Sequence, residues 1–141
     1  MKLIQPITKF HMIESAFLLS VPLLAYVAES VCEKGTNDWS LWHWVALVYA
    51  LYCAYIGYFF RRKLMVTANA ALAANPFDKQ ALKTWQASQI LGLSCAESVA
   101  LTGLIIRFVL GGALWQAALF YVSALVLILL WRPQEFQKAA A

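Results

Sequence analysis

The stretch "LGLSCAESVALTGLII", residues 91–106, decides the fold. It reads as the middle of a membrane-crossing helix, yet Glu97 stands in its centre. Working outward, the apolar run extends from about residue 88 to residue 110. Three comparable runs cover about residues 11–31, with 16–28 treated as its apolar heart, 39–60 and 113–131. A run of about 20 apolar residues spans a bilayer as a helix. The chain is 62% hydrophobic and only 13% charged, with a mean hydropathy of +0.66. Soluble domains are roughly half apolar and a quarter charged, so this composition fits lipid as the solvent. Continuous runs, rather than short alternating ones, argue against a membrane barrel. Backbone groups in lipid must be satisfied within their own segment, which favours helices.

The sequence therefore predicts an all-α, integral membrane four-helix bundle, a single domain over residues 1–141. Glu14 and Glu29 flank the first run, and no small-residue cleavage site follows it, so the run is expected to be retained rather than removed as a signal. The connections "CEKGTND" (32–38) and "GGAL" (111–114) are short. Short connections favour antiparallel neighbours, which predicts two antiparallel helical hairpins.

Charge sets the expected orientation. Lys2 and Lys9 precede the first run, while Arg61, Arg62, Lys63, Lys79 and Lys83 lie between the second and third. Arg132 and Lys138 follow the fourth, and Lys34 is offset by Glu33 and Asp38. By the positive-inside rule both termini and residues 61–87 are cytoplasmic, in an inner, cytoplasmic-type membrane. Topology accounts for the net charge of +4 without nucleic acid. The aromatic residues Trp39, Trp42, Trp44 and Trp115 mark one surface, and Trp85 and Trp131 the other. Cys32, Cys53 and Cys95 are scattered, so neither a disulfide framework nor a zinc site is expected.

The middle connection "LMVTANAALAA" (64–74) is rich in alanine, a strong helix former. The second helix should continue about 20 Å beyond the membrane. In "NPFD", Asn75 can cap the next helix, Pro76 suits its first turn and Asp78 a reciprocal cap. The protruding tip, with Asn75, Pro76 and Asp78, is either a solvated connector or a docking surface for a partner.

Glu97 lies near the expected midplane, where an ionised carboxylate costs several kcal/mol. It must carry a proton or find a cation or hydrogen-bond donor. Ser88, Gly92, Ala96 and Ala100 recur every fourth residue and form a small-residue helix interface. Ser94, Ser98 and Thr102 add polarity around Glu97, making a candidate proton or ion site. Arg107 lies about 15 Å further along the helix, too far for a direct pair, and is expected to reach the outer surface. Glu29 is expected to be wet, and Pro22 to kink the first helix. His11 and Glu14, one turn apart, could begin a metal site, but bundle di-metal sites need two such motifs and more carboxylates. No metal ligands and no cofactor are assigned.

The second hairpin, about residues 40–110, resembles ATP synthase subunit c. Gly92, Glu97, Ala100, Leu101, Gly103 and Leu104 match the style of its carboxylate-bearing helix, and "LAANPFD" (72–78) that of its polar tip. The resemblance implies that Glu97 carries a proton and that Asn75 and Pro76 face a partner. The chain differs in its bulky second helix, "WVALVYALYCAYIGYF" (44–59), and in having two additional membrane helices. No phosphate loop or nucleophile elbow occurs in the sequence, and no catalytic residue is assigned. Two functions remain in view. One is a non-catalytic subunit of a larger membrane complex, partnered by the bilayer and by other membrane subunits or further copies of itself. The other is a proton-translocating element like subunit c.

Overall fold

The computed structural model describes residues 4–32 and 35–131, with residues 4–10 as backbone only. The side chains of Lys2, Lys9, Glu33, Lys34, Arg132 and Lys138, on which the charge argument partly rests, lie outside the described residues. Four helices carry the described chain: α1 (Ile4–Val31), α2 (Leu41–Ala74), α3 (Lys79–Phe108) and α4 (Leu114–Leu130). Three of them, α1 to α3, contain segments long and apolar enough to cross a membrane. The fourth expected span is a shorter helix of 17 residues. At 1.5 Å per residue it is about 26 Å long, slightly less than the roughly 30 Å hydrocarbon core.

Helix α3 is the spine. Half of its most apolar window is buried, against 17% for α1 and for α2. Trp85, Gly92, Val99 and Ile106 recur every seventh residue along its buried side. His43, Ala50 and Gly57 repeat the interval on α2, as do Glu14, Val21 and Ala28 on α1. A seven-residue repeat keeps one stripe facing a neighbour when helices cross at a shallow left-handed angle. The expected small-residue stripe of Ser88, Gly92, Ala96 and Ala100 is buried inside this one chain. It is not left outward for a partner.

Two glycines set how closely α2 and α3 approach. A Cβ at Gly57 would lie 2.7 Å from Cys95 Cβ, and one at Gly92 would lie 2.7 Å from Arg61 Cδ. Helix α2 runs 34 residues without a break. Its far end forms a separate small core with α3, made of Ala68, Leu72, Ala81 and Trp85. Trp85 is thus a packing residue and not the expected surface anchor. The cap differs from expectation too. Asp78 caps α3, its Oδ1 accepting from the backbone N–H of Gln80 (2.8 Å) and Ala81 (3.3 Å). Asn75 instead terminates α2 in an extended conformation, because a residue before proline avoids helical ψ.

The expected pairing of the first two helices is not what packs. Helix α1 lies against α3 and α4 rather than α2. The reason is reach. Residues 32–40, fully extended, can cover about 30 Å, enough to cross the end of the bundle. There the connector is strapped over the α3–α4 turn. The Thr36 N–H donates to Gly111 O at 3.0 Å, and Trp115 Nε1–H to Asn37 Oδ1 at 3.0 Å. Gly111 makes the turn with φ of +62°, a conformation that L side chains rarely adopt.

Gly57→Leu should push Cys95 and the Trp131 ring from their places and lower unfolding stability by about 2 kcal/mol, as overpacking does. Leu129→Ala, at an exposed site, should change it by less than about 0.5 kcal/mol. Thermal unfolding in detergent measures both.

Candidate functional site: a polar clasp between α1 and α3

The carboxyl of Glu97 turns toward α1. Both its oxygens lie 3.0 Å from Ser20 Oγ. Ser20 belongs to the segment that the sequence reading treats as purely apolar. Its Oγ is also 2.8 Å from Phe17 O. The hydroxyl has one hydrogen and these are two acceptors, so it serves one of them at a time. Glu97 and Ser20 are both half-buried.

Two of the three hydroxyls expected around Glu97, those of Ser98 and Thr102, are occupied elsewhere. Ser98 Oγ donates to Ser94 O at 2.9 Å, and Thr102 Oγ1 to Ser98 O at 2.9 Å. These bonds fold back one turn onto their own helix. Ser94 is exposed and Thr102 buried.

A second link lies one helix end further along. Arg107 Nε donates to Glu29 Oε1 at 2.8 Å, and Nη2 to Oε2 at 3.1 Å. Its Nη1 reaches Gly112 O at 2.9 Å in the α3–α4 turn. Arg107 is only 5% exposed. It does not extend to the surface, and Glu29, whose side chain stays 31% exposed, is its counter-charge. A fork-on-fork pair of this kind fixes orientation as well as distance. Because Ser20 and Glu29 meet Glu97 and Arg107 in the same order, α1 and α3 run parallel.

At the other end of the bundle Arg61 ties three helices. One Nη2 donates to Gln89 Oε1 on α3 (3.2 Å) and to Trp131 O at the end of α4 (3.0 Å). A cation there also complements the negative end of the α4 dipole. Arg61 crosses the space that Gly92 leaves open. A residue assigned only to topology is thus built into the packing.

The remaining candidates lie apart from the clasp. His11 Nδ1 and Glu14 Oε2 are 3.3 Å apart near the start of α1, and among the described residues no group of three metal-ligating side chains forms. His43 is buried at the opposite end, its Nδ1 accepting from the Ser40 N–H at 3.2 Å. Asn75 and Pro76 are exposed at the tip, beside a Phe77 that is 78% exposed, while Asp78 is half-covered by its capping role. On α3, Ile90, Ser94, Leu101, Ile105 and Phe108 form an exposed strip. Their spacing puts this strip on the side of the helix next to Glu97.

No protein-family model matches this chain, and no curated protein or solved structure is significantly similar to it.

Glu29→Gln should leave a buried guanidinium without its counter-charge and cost about 3 kcal/mol. Adding Arg107→Met should recover part of that loss. Ser20→Ala removes one hydrogen-bonding group and should cost about 1 kcal/mol. Thermal unfolding of the four proteins in one detergent reads all three changes.

Proposed function

We propose that this chain is a non-catalytic subunit of a larger membrane complex, with α4 as a fourth span and both termini and the α2–α3 tip in the cytoplasm. The carrying observation is the one-sided cover of Glu97. Ser20 holds it from α1, while the flank toward Ser94 and Leu101 is exposed in the isolated chain. A carboxyl group near the middle of a bilayer is costly against acyl chains. A helix of another subunit, or of a second copy, laid along the strip from Ile90 to Phe108 would close that flank. The exposed tip around Asn75, Pro76 and Phe77 offers a second contact in the cytoplasm.

A second reading is favoured by the Ser20 geometry. A protonated Glu97 can donate to Ser20 Oγ while Ser20 donates to Phe17 O, and every hydrogen then has an acceptor. An ionised Glu97 instead takes the Ser20 hydrogen. The hydroxyl therefore accommodates both forms, as a proton-carrying carboxyl needs. The resemblance of residues 91–106 to the carboxylate helix of subunit c supports the same role.

Cysteines placed at Ser94 or Leu101 and carrying a photocrosslinker should join the chain to a partner in native membranes. One placed at Leu129 should not. A uniform, lone 15.8 kDa species after mild extraction, with no crosslink from position 94 or 101, would defeat the subunit reading. For the proton reading, vesicles holding the assembled complex should lose proton flux with Glu97→Gln, and carbodiimide labelling should vanish with it. Wild-type vesicles without flux would dispose of that reading.

A further inference from the structure

Where α4 ends at Leu130, α2 continues to Ala74, and the mismatch leaves a groove between them of about 590 Å³. Its lining is mostly apolar, with a cationic band part-way along. Ala54, Leu127 and Leu130 make an apolar end level with the last turns of α4. Past them Tyr58, Arg61 and Arg62 form a polar band beside Trp131, and Met65 and Val66 lead on to Asn69. From Ala54 to Asn69 is about 22 Å along α2. Arg62 Nη1 donates to Tyr58 Oη at 3.2 Å, so a cation and a hydroxyl share one rim of the groove. Among the described residues no carboxylate pairs with Arg62.

We infer that this groove binds an anionic phospholipid. Its acyl chain would lie along Ala54, Leu127 and Leu130, and its phosphate would meet Arg62 and the Tyr58 hydroxyl, with Asn69 beside the rest of the headgroup. Arg61, held by Gln89 and Trp131, adds positive potential without moving. Three features select this occupant. The apolar end adjoins the hydrocarbon layer, the cationic rim comes at the level where α4 stops, and the two are in line along one helix. Basic pockets between membrane helices recognise anionic headgroups by this arrangement. A soluble anion would use only half of the groove. The inference rests on the bundle being membrane-embedded as proposed above, and not on its subunit or proton role, nor on which leaflet the groove faces.

The full chain, delipidated in mild detergent, is offered phosphatidylglycerol and phosphatidylcholine of equal chain length and examined by native mass spectrometry. One phosphatidylglycerol per chain should be retained in preference to phosphatidylcholine. Arg62→Gln, at an exposed position, should weaken retention about fivefold, the effect of one basic residue near a headgroup. Leu127→Trp, which fills the apolar end, should reduce it with the arginines intact. Circular dichroism confirms that each variant is helical. Equal retention of the two lipids overturns the inference, as does an Arg62→Gln protein that binds like the wild type. Displacement of the lipid by an equal concentration of inorganic phosphate would make it a plain anion site. Binding that arises only after removal of residues 132–141 would identify that segment as the occupant. Loss of lipid preference with partner crosslinks intact would overturn the inference alone.

Discussion

A charged or hydrogen-bonding side chain in hydrocarbon has few places to go, and that constraint organises this molecule. Helix α3 carries Gln89, Glu97 and Arg107, and each meets another helix. Gln89 receives Arg61 from α2, Glu97 meets Ser20 of α1, and Arg107 grips Glu29 of α1 while reaching the backbone of the α3–α4 turn. Apolar packing between membrane helices lacks the solvent-driven force that it has in water. Position along a helix axis is therefore set here mainly by polar pairs and by glycine-sized gaps. The Arg107–Glu29 fork does most to fix the depth of α1, and its order with the Ser20–Glu97 contact gives the direction.

The glycine gaps and the arginine belong to one device on the α2–α3 side. Gly92 admits the stem of Arg61, Gly57 admits Cys95 and the edge of Trp131, and the guanidinium then binds the carbonyl of Trp131, just past α4. Small residues on α2 and α3 thus bring three helices together within a single chain. The same stripe read in isolation looks like a surface for another protein, since spacing shows that a face is close-packed without showing against what.

Much of the architecture was legible in residue order. Long apolar runs announced the helices, alanine-rich residues 64–74 the extension of α2, and Asn75–Pro76 the turn. Asp78, not Asn75, proved to be the cap, because the following proline keeps Asn75 extended. The neighbour of α1 was not legible, since a nine-residue connector can cross the bundle as easily as turn back. Depth along the helices carries a further signal. Counted from the starts of their runs, His11 and Ser88, Ser20 and Glu97 stand at the same depth, and Glu29 and Arg107 within one residue of each other. Helices one and three of an up-and-down bundle run parallel, so equal depth brings Ser20 to Glu97 and Glu29 to Arg107. The positions of Ser98 and Thr102 near Glu97 misled, because hydroxyls in a helix close readily onto the carbonyl a turn before.

The clasp joins residues far apart in the chain: Ser20 to Glu97 and Glu29 to Arg107. Helix α1 leaves the ribosome long before its partners are made. At about 5–20 residues per second, the 78 positions between Glu29 and Arg107 take roughly 4 to 16 s to synthesise. Over that interval α1 has neither its counter-charge nor the turn on which its connector rests. The insertion machinery, or the lipid surface where Glu29 can stay hydrated, must hold the helix during that delay. Assembly of the bundle is in this sense back-loaded, with α1, made before the other three helices, being among the last to lock.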